Sequence, residues 1–192
     1  MALLALGVFL TTGCGDAGGL PEPDRGEVGP DGSIQSPVVD SGSVMVSLRI
    51  HFHREEELVG VGRSVWFPVQ GAELGEASER VLSAALDALF MGPTAEEREA
   101  GLHSFFSAET EDLLAEVEVE DDRAVVDLRD FRDRIPNASS SAGSIAFLAE
   151  LTNTVFANSL VDEVELRMEG SCEAFWAFLQ QACTVVQRPA EV

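Results

Sequence analysis

An apolar stripe with helical periodicity runs through residues 78–90 and ends at a strong stop signal. Six apolar side chains recur at i, i+1, i+4, i+5, i+8 and i+9, and they are Val81, Leu82, Ala85, Leu86, Leu89 and Phe90. Because this spacing places them on one side of a helix, the segment predicts an amphipathic helix packed on a core, with Ser78 as its N-cap. Gly92 suits the left-handed residue just past a helix end, and Pro93 cannot continue the helix. The acidic run that follows predicts a short second helix that ends at Gly101.

Five further segments alternate apolar and polar residues with the period of a β-strand. They are residues 44–52, 58–69, 113–119, 123–128 and 162–168. A second long helix is predicted over residues 144–156. Its apolar stripe consists of Ile145, Leu148, Leu151 and Val155. Its N-cap is Ser140 or Ser141. A sheet built from strands with a single apolar face has to be packed against helices on that face only. The pattern therefore predicts an α+β fold, a two-layer sandwich in which a mixed or antiparallel sheet of about five to six strands carries two long helices on one face.

Two of these strands are joined by a predicted two-residue turn at Asp121 and Asp122, which fixes the register of a hairpin. That register puts three apolar pairs on one face: Val119 with Ala124, Val117 with Val126, and Ala115 with Leu128. It also sets two like charges opposite each other, at a cost of roughly a few tenths of a kcal/mol. The hairpin is predicted because all three apolar pairs agree.

The first helix and its stop signal also resemble a known family. The matching residues are Ala84, Ala85, Leu86, Ala88, Leu89, Gly92, Pro93, Thr94, Glu97, Gly101, Leu102 and Ser104. With the VVDL segment at 125–128 and the helix end at 151–156, residues 44–170 resemble the GerMN domain (sporulation and spore germination) family. The resemblance implies an extracytoplasmic, non-enzymatic module that is similar in shape to the ring-building domains of secretion machines.

The amino terminus predicts export and lipid anchoring. Residues 1–13 are apolar but too short to span a bilayer, so they read as the core of a signal peptide. The run from Leu10 to Cys14 resembles a bacterial lipobox, in which the cysteine thiol takes the lipid. It departs from that pattern at Thr11, where Leu is usual, and no Arg or Lys precedes the apolar run, so an ordinary cleaved signal is the alternative. Residues 1–14 are thus predicted to be a lipoprotein signal with its acceptor cysteine.

Residues 15–43 predict a disordered linker, because they are rich in Gly and Pro and lack apolar periodicity. Residues 44–188 are the predicted domain and 189–192 a short tail. With Cys14 acylated, this domain would be held at the outer face of the cytoplasmic membrane without a spanning helix.

The charge of the chain excludes one class of partner. Its 34 acidic residues and 12 basic residues, all of them Arg, give a net charge of −22. Such a surface repels phosphate backbones, so nucleic-acid binding is not expected. The charge is interpreted as a solubilising surface, and a cationic partner or an atmosphere of divalent ions is the alternative.

Cys172 and Cys183 leave two possibilities open. If the whole segment between them were helical, their Cα atoms would lie about 16 Å apart, whereas a disulfide needs about 7 Å or less. Either the helix is short and the chain doubles back to a disulfide, or the thiols are free. Export favours the disulfide over a redox or thiolate metal site.

No enzyme, cofactor or metal site is predicted. The three histidines are His51, His53 and His103, and the last adjoins Ser104, whose side chain should point the opposite way on an extended segment. A closed sandwich with no cleft where histidines and acids meet is therefore expected. One alternative is a metal site formed by His51, His53 and one of the glutamates at 55–57.

The predicted function is that of a non-enzymatic envelope lipoprotein that mediates protein–protein interaction or scaffolding, with other envelope proteins as partners and homo-oligomers as a further possibility. In spore formers, GerMN domains serve assembly of the channel between mother cell and forespore. Relatives in non-sporulating, GC-rich bacteria look like general envelope lipoproteins, and an all-Arg basic composition favours that group. The alternative is a lipoprotein that binds cell-wall glycan or a small ligand, with Trp66, Phe175 and Trp176 as the aromatic residues that would stack on sugar rings.

Overall fold

The computed structural model describes residues 43–68 and 74–190. The predicted leader with Cys14, residues 15–42 of the predicted linker and the last two residues lie outside this range. In the described residues the strands are β1 (Ser43–Arg54), β2 (Glu57–Pro68), β3 (Leu102–His103), β4 (Leu114–Glu120), β5 (Arg123–Leu128), β6 (Glu163–Met168) and β7 (Val185–Gln187). The α-helices are α1 (Leu74–Phe90), α2 (Ala95–Glu99), α3 (Ser141–Ala157) and α4 (Cys172–Phe178).

The strands of the described part form two sheets. One has the order β2-β1-β3 and the other the order β4-β5-β6-β7. The pairing is antiparallel throughout, except that β5 and β6 are parallel. The α+β class is confirmed, although seven strands in two sheets replace the single sheet of five to six that was predicted. Alternation along a strand predicts its buried face, but it does not specify which strand lies beside it.

Helix α1 connects the two sheets, because it packs on β1 of the first and on β4 of the second. Helix α3 packs on β1 and α1, and α4 packs on β6. The predicted stripe of α1 is buried from Leu82 to Phe90, with Val81 partly covered. The helix begins at Leu74, so Ser78 lies inside it and the predicted N-cap was wrong. None of the described helices has the length and apolar character needed to cross a membrane.

The β4–β5 hairpin follows the predicted register except at its far end. The two apolar pairs nearest the turn are confirmed. The third is wrong, since Leu114 and not Ala115 lies opposite Leu128. A bulge between Leu114 and Glu116 shifts the register, and it leaves Ala115 exposed.

Helix α3 has one of the two predicted caps, but it begins at Ser141 and not at residue 144. Its predicted stripe is confirmed at Leu151 and Val155, which are fully buried, and is wrong at Ile145. Ser140 caps it by accepting a hydrogen bond from the backbone N–H of Gly143 at 3.1 Å. Ile145, assigned to the apolar stripe, is 71% exposed, whereas Phe147 is fully buried. The Phe147 ring contacts four other phenylalanine rings. Burying the larger ring sets the rotation of the helix, which turns Ile145 outward.

The carboxy-terminal segment doubles back to a disulfide. Helix α4 ends at Phe178 after seven residues, and Gln180 has a φ of 59°. This reversal brings the Cα atoms of Cys172 and Cys183 to 5.5 Å, and the two sulfur atoms are bonded. Of the two possibilities left open by the sequence, the structure has the disulfide. Strand β7 then pairs with the outer side of β6.

Candidate functional site

Arg63 of β2 contacts the end of α1, where the segment that resembles GerMN domains leaves the helix. The guanidinium donates hydrogen bonds to the carbonyl oxygens of Ala88 at 2.8 Å and Gly92 at 3.1 Å. It also donates to Glu97 Oε2 at 2.6 Å. The last carbonyls of a helix have no partner within it, and a cation suits the negative end of the helix dipole. Gly92 has a φ of 72°, and a Cβ there would overlap the carbonyl oxygen of Phe106, so the position requires glycine.

The next motif residues hold α2 in place. The hydroxyl of Thr94 accepts a hydrogen bond from the backbone N–H of Glu97, and the Glu97 carboxylate accepts one from the backbone N–H of Thr94. Burial raises the pKa of Glu97, but hydrogen bonds from Arg63 and Thr94 outweigh it, and the net pKa is lowered. Gly101 takes a φ of 86°, and Leu102 is buried. These residues stabilise the fold, and they fix the position of the chain that leads to Ser104.

Ser104 meets a buried acid, Glu150 of α3. Its hydroxyl donates to Glu150 Oε2 at 2.6 Å and accepts from the backbone N–H of Phe106 at 3.0 Å. Desolvation raises the pKa of Glu150 to about 8, against the opposing effect of hydrogen bonds from Ser104 and the backbone of Phe105. The other carboxyl oxygen, Oε1, is buried and has no hydrogen-bond partner among the described residues. A buried acceptor without a partner is a costly feature in a folded protein.

Two histidines lie beside this carboxyl. His53 of β1 and His103 of β3 are paired across the strands, and their ring centroids are 6.0 Å apart. His53 Nε2 is 3.7 Å from Glu150 Oε1 and 3.2 Å from the carbonyl oxygen of Ala146. The pairing of two strands over two residues therefore assembles an imidazole pair next to a buried acid.

These groups line a cleft of about 830 Å³. The β1–β2 turn supplies Glu55 and Glu56 to the lining. The outward side of α3 supplies an apolar wall of Ala142, Ile145, Ala146 and Ala149. Arg134, from the loop before α3, also lines the cleft, and it forms an ion pair with Asp112. The volume of this cleft is in the range of pockets that bind small molecules or side chains.

The cleft overturns one expectation drawn from the sequence, since it brings two histidines, a serine and acids together. Alternation does place His103 and Ser104 on opposite sides of an extended chain, but β3 ends at His103, so the rule does not extend to Ser104. Glu150 was missed. It is the only charged residue of α3, and a lone acid within an otherwise uncharged amphipathic helix is the signal that could have identified it.

The arrangement is poorly suited to nucleophilic catalysis. The Ser104 hydroxyl donates to the carboxyl and not to an imidazole. A carboxyl with a pKa of about 8 is largely protonated at neutral pH, so it cannot take the serine proton. The geometry instead offers hydrogen-bond acceptors and an apolar wall to a bound group.

The other residues weighed in the sequence are not brought together. Among the described residues no three His, Cys, Asp or Glu side chains are placed to hold a metal ion, so His51, His53 and the glutamates at 55–57 do not form the alternative metal site. Burial, followed by the charge of Arg49, lowers the pKa of His51. The three aromatic residues of the glycan-binding alternative also lie apart. Phe175 and Trp176 are in the core, whereas Trp66 is 69% exposed.

Comparison with known proteins identifies the family of this chain. The tandem GerMN domains of the sporulation protein GerM from Bacillus subtilis align with 18% identity and a TM-score of 0.46, over 76% of this chain and 45% of that one. This chain therefore spans less than half of that protein. The first GerMN domain of the same protein aligns with 18% identity and a TM-score of 0.40, over 66% of this chain and 84% of that one. No curated protein matches the sequence. The family-level comparison matches residues 49–172, which is more than half of the chain, and this protein therefore belongs to the Germane family, described as sporulation and spore germination.

Proposed function

We propose that this chain is a non-enzymatic envelope module that binds other proteins outside the cytoplasmic membrane, where Cys14 anchors it. Membership of the Germane family supports this assignment. The chemistry of the cleft also supports it, because the serine there faces a carboxyl that is protonated at neutral pH. The net charge of −22 argues against a nucleic-acid partner.

The observation that carries the proposal is an exposed apolar pair on the β1–β2 hairpin. Met45 and Trp66 lie directly opposite each other across the strands and are 58% and 69% exposed. Val44, on the neighbouring pair, is 49% exposed. Strand β2 is also the edge of its sheet, so backbone groups along it remain available for pairing with another chain. Exposed Trp and Met beside a sheet edge are typical of a protein-binding surface.

Position-specific cross-linking in the native cells tests the proposal. A photoreactive phenylalanine derivative in place of Trp66 should capture a defined protein, which mass spectrometry can identify. The matched control carries the same residue in place of Glu116, an exposed position on β4. Equal or absent protein capture at the two positions would contradict a role in protein binding. Capture of a second copy of this chain would show that the surface mediates homo-oligomerisation.

The glycan-binding alternative now depends on Trp66, because the other two aromatic residues are buried. A pull-down on purified cell wall with the parent chain and with Trp66→Ala separates the two functions. Wall binding that Trp66→Ala abolishes would replace the protein-binding proposal. Anchoring is tested separately by metabolic labelling with a fatty acid, which Cys14→Ser should abolish.

A further inference from the structure

We propose that the cleft between the β1–β2 turn and α3 binds a basic side chain, lysine or arginine, of a protein partner. The inference rests on the proposed protein-binding function and identifies the chemistry of one contact. The cleft is lined by His53, His103, Ser104 and Glu150, with Glu55 and Glu56 from the turn.

The first support is the buried carboxyl of Glu150. It is fully buried, it lines the cleft, and its Oε1 has no hydrogen-bond partner among the described residues. His53 Nε2 lies 3.7 Å from this oxygen, which is too long for a hydrogen bond. An ammonium or guanidinium group that entered the cleft would supply a donor to this oxygen once the carboxyl is ionised. It would also compensate the carboxylate charge.

The charges of the lining select a cation over an anion. Three acids line the cleft, namely Glu55, Glu56 and Glu150, against one guanidinium. That guanidinium, on Arg134, is already paired with Asp112. A phosphate or carboxylate ligand would therefore meet net negative charge. The charge of −22 on the whole chain would also attract a basic partner from a distance.

The shape of the lining suits a charged group on an apolar stem. Along α3 the wall is made of three alanines and Ile145, which is 71% exposed. The methylene groups of a lysine or arginine side chain can cover this wall while the charged end reaches the acids. A small metal ion would leave the wall uncovered.

Binding of such a cation should be linked to release of a proton. The free carboxyl of Glu150 is protonated below its pKa of about 8, and a neighbouring positive charge favours the ionised form. The groups beside it are His53 from β1, and Ser104 and the backbone of Phe105 after β3. His53 Nε2 also lies 3.2 Å from the carbonyl oxygen of Ala146, and the His53 ring is stacked with that of His103. Affinity should therefore rise from pH 6 to pH 8, by up to about tenfold per pH unit.

Titration of the full chain with blocked amino acids tests the inference. Nα-acetyl-lysine N-methylamide and the corresponding arginine derivative are added, and the imidazole proton and carbon resonances of His53 and His103 are followed by NMR. The norleucine derivative, which has a similar stem without charge, is the ligand control. At least one basic probe should shift both imidazole signals with millimolar affinity. The norleucine probe should shift them at least tenfold less.

Glu150→Gln and Glu116→Gln remove the same charge at two places and serve as matched variants. Glu150→Gln keeps an acceptor for Ser104 and should weaken binding of the basic probe at least tenfold, with loss of the rise in affinity between pH 7 and pH 8. Glu116→Gln should leave both unchanged. The inference is wrong if Glu150→Gln binds as tightly as the parent, if the norleucine derivative binds equally, or if neither basic probe shifts the imidazoles at about 50 mM.

The two proposals can fail separately. If cross-linking captures a partner but the basic probes leave the imidazoles unmoved, only the assignment of the cleft is wrong. If the probes bind and Glu150→Gln weakens them, the cleft is a cation site even when no partner protein is captured.

Discussion

Replacing Glu150 by glutamine is expected to stabilise the protein at alkaline pH and to flatten its pH dependence. The carboxyl is fully buried, and desolvation raises its pKa from 4.5 to about 8. Glutamine has the same size and keeps an acceptor for the Ser104 hydroxyl. The substitution therefore removes the ionisation and leaves the main hydrogen bond in place.

The sign of the pH dependence of stability follows from whether the folded or the unfolded state holds the proton. Between pH 4.5 and about pH 8 the unfolded chain has lost the Glu150 proton and the folded chain still holds it. Unfolding in this window releases a proton, so the free energy of unfolding falls as pH rises. The fall is about 1.4 kcal/mol for each pH unit, or about 5 kcal/mol across the window. It is complete above pH 8 and absent below pH 4.5.

Urea denaturation between pH 5 and pH 9, followed by circular dichroism, measures this difference. Parent and Glu150→Gln should be close in stability at pH 5. The variant should become more stable by several kcal/mol at pH 8.5, because it carries no buried charge. Glu116→Gln should follow the parent.

Parallel pH profiles for the parent and the Glu150→Gln variant would refute the reasoning. They would mean that the carboxyl ionises in the folded state at little cost, through water or through the imidazole 3.7 Å from Oε1. In that case the acceptor left without a partner in the structure is satisfied in solution.

Three further changes test the fold around the cleft by urea denaturation. Gly92→Ala should lower the free energy of unfolding by about 3 kcal/mol or more, because a Cβ there would overlap backbone atoms. Gly101→Ala should lower it by only about 1 kcal/mol, because a Cβ there would meet open space. Equal losses for the two variants would contradict this reasoning. Cys172→Ser with Cys183→Ser should lose about 3 kcal/mol for a loop of this length, and an unchanged midpoint would show that the crosslink does not stabilise the fold. Arg63→Met should cost about 3 kcal/mol, because it leaves the half-buried Glu97 carboxylate without its cation and the carbonyl oxygens of Ala88 and Gly92 without this donor. A loss no larger than that of an exposed arginine would refute the capping role.

The sequence predicted elements whose signal is local. The α1 stripe and its glycine stop follow from helical spacing and from a φ that only glycine adopts easily. Strand β6 alternates as expected, with its apolar residues buried and its charged ones half-buried. Local patterns did not specify the division into two sheets, because strand pairing depends on contacts between residues far apart in the chain. The bulge near Ala115 was missed for a similar reason.

Burial of large rings explains the largest local error. A pattern of four aliphatic residues placed Ile145 inside, but the helix buries Phe147 against other phenylalanine rings instead. A period of 3.6 allows either residue to face the core in the first turns of this 17-residue helix, and the larger buried area decides between them. Once Phe147 points inward, Glu150 follows it three residues later on the same side. The buried acid and the cleft are therefore consequences of one choice of helix rotation.

The folding motif and the cleft can be separated by experiment even though they share a segment. Gly92 and the contacts of Arg63 fix where the chain leaves α1, and the short pairing of β3 with β1 then sets His103 beside His53. Ser104 reaches Glu150 as the next step of that path. A change at Gly92 should therefore disturb both stability and the imidazole resonances, whereas Glu150→Gln should change the cleft and leave the motif intact. If the reverse held, the cleft would owe its geometry to something other than the motif that leads into it.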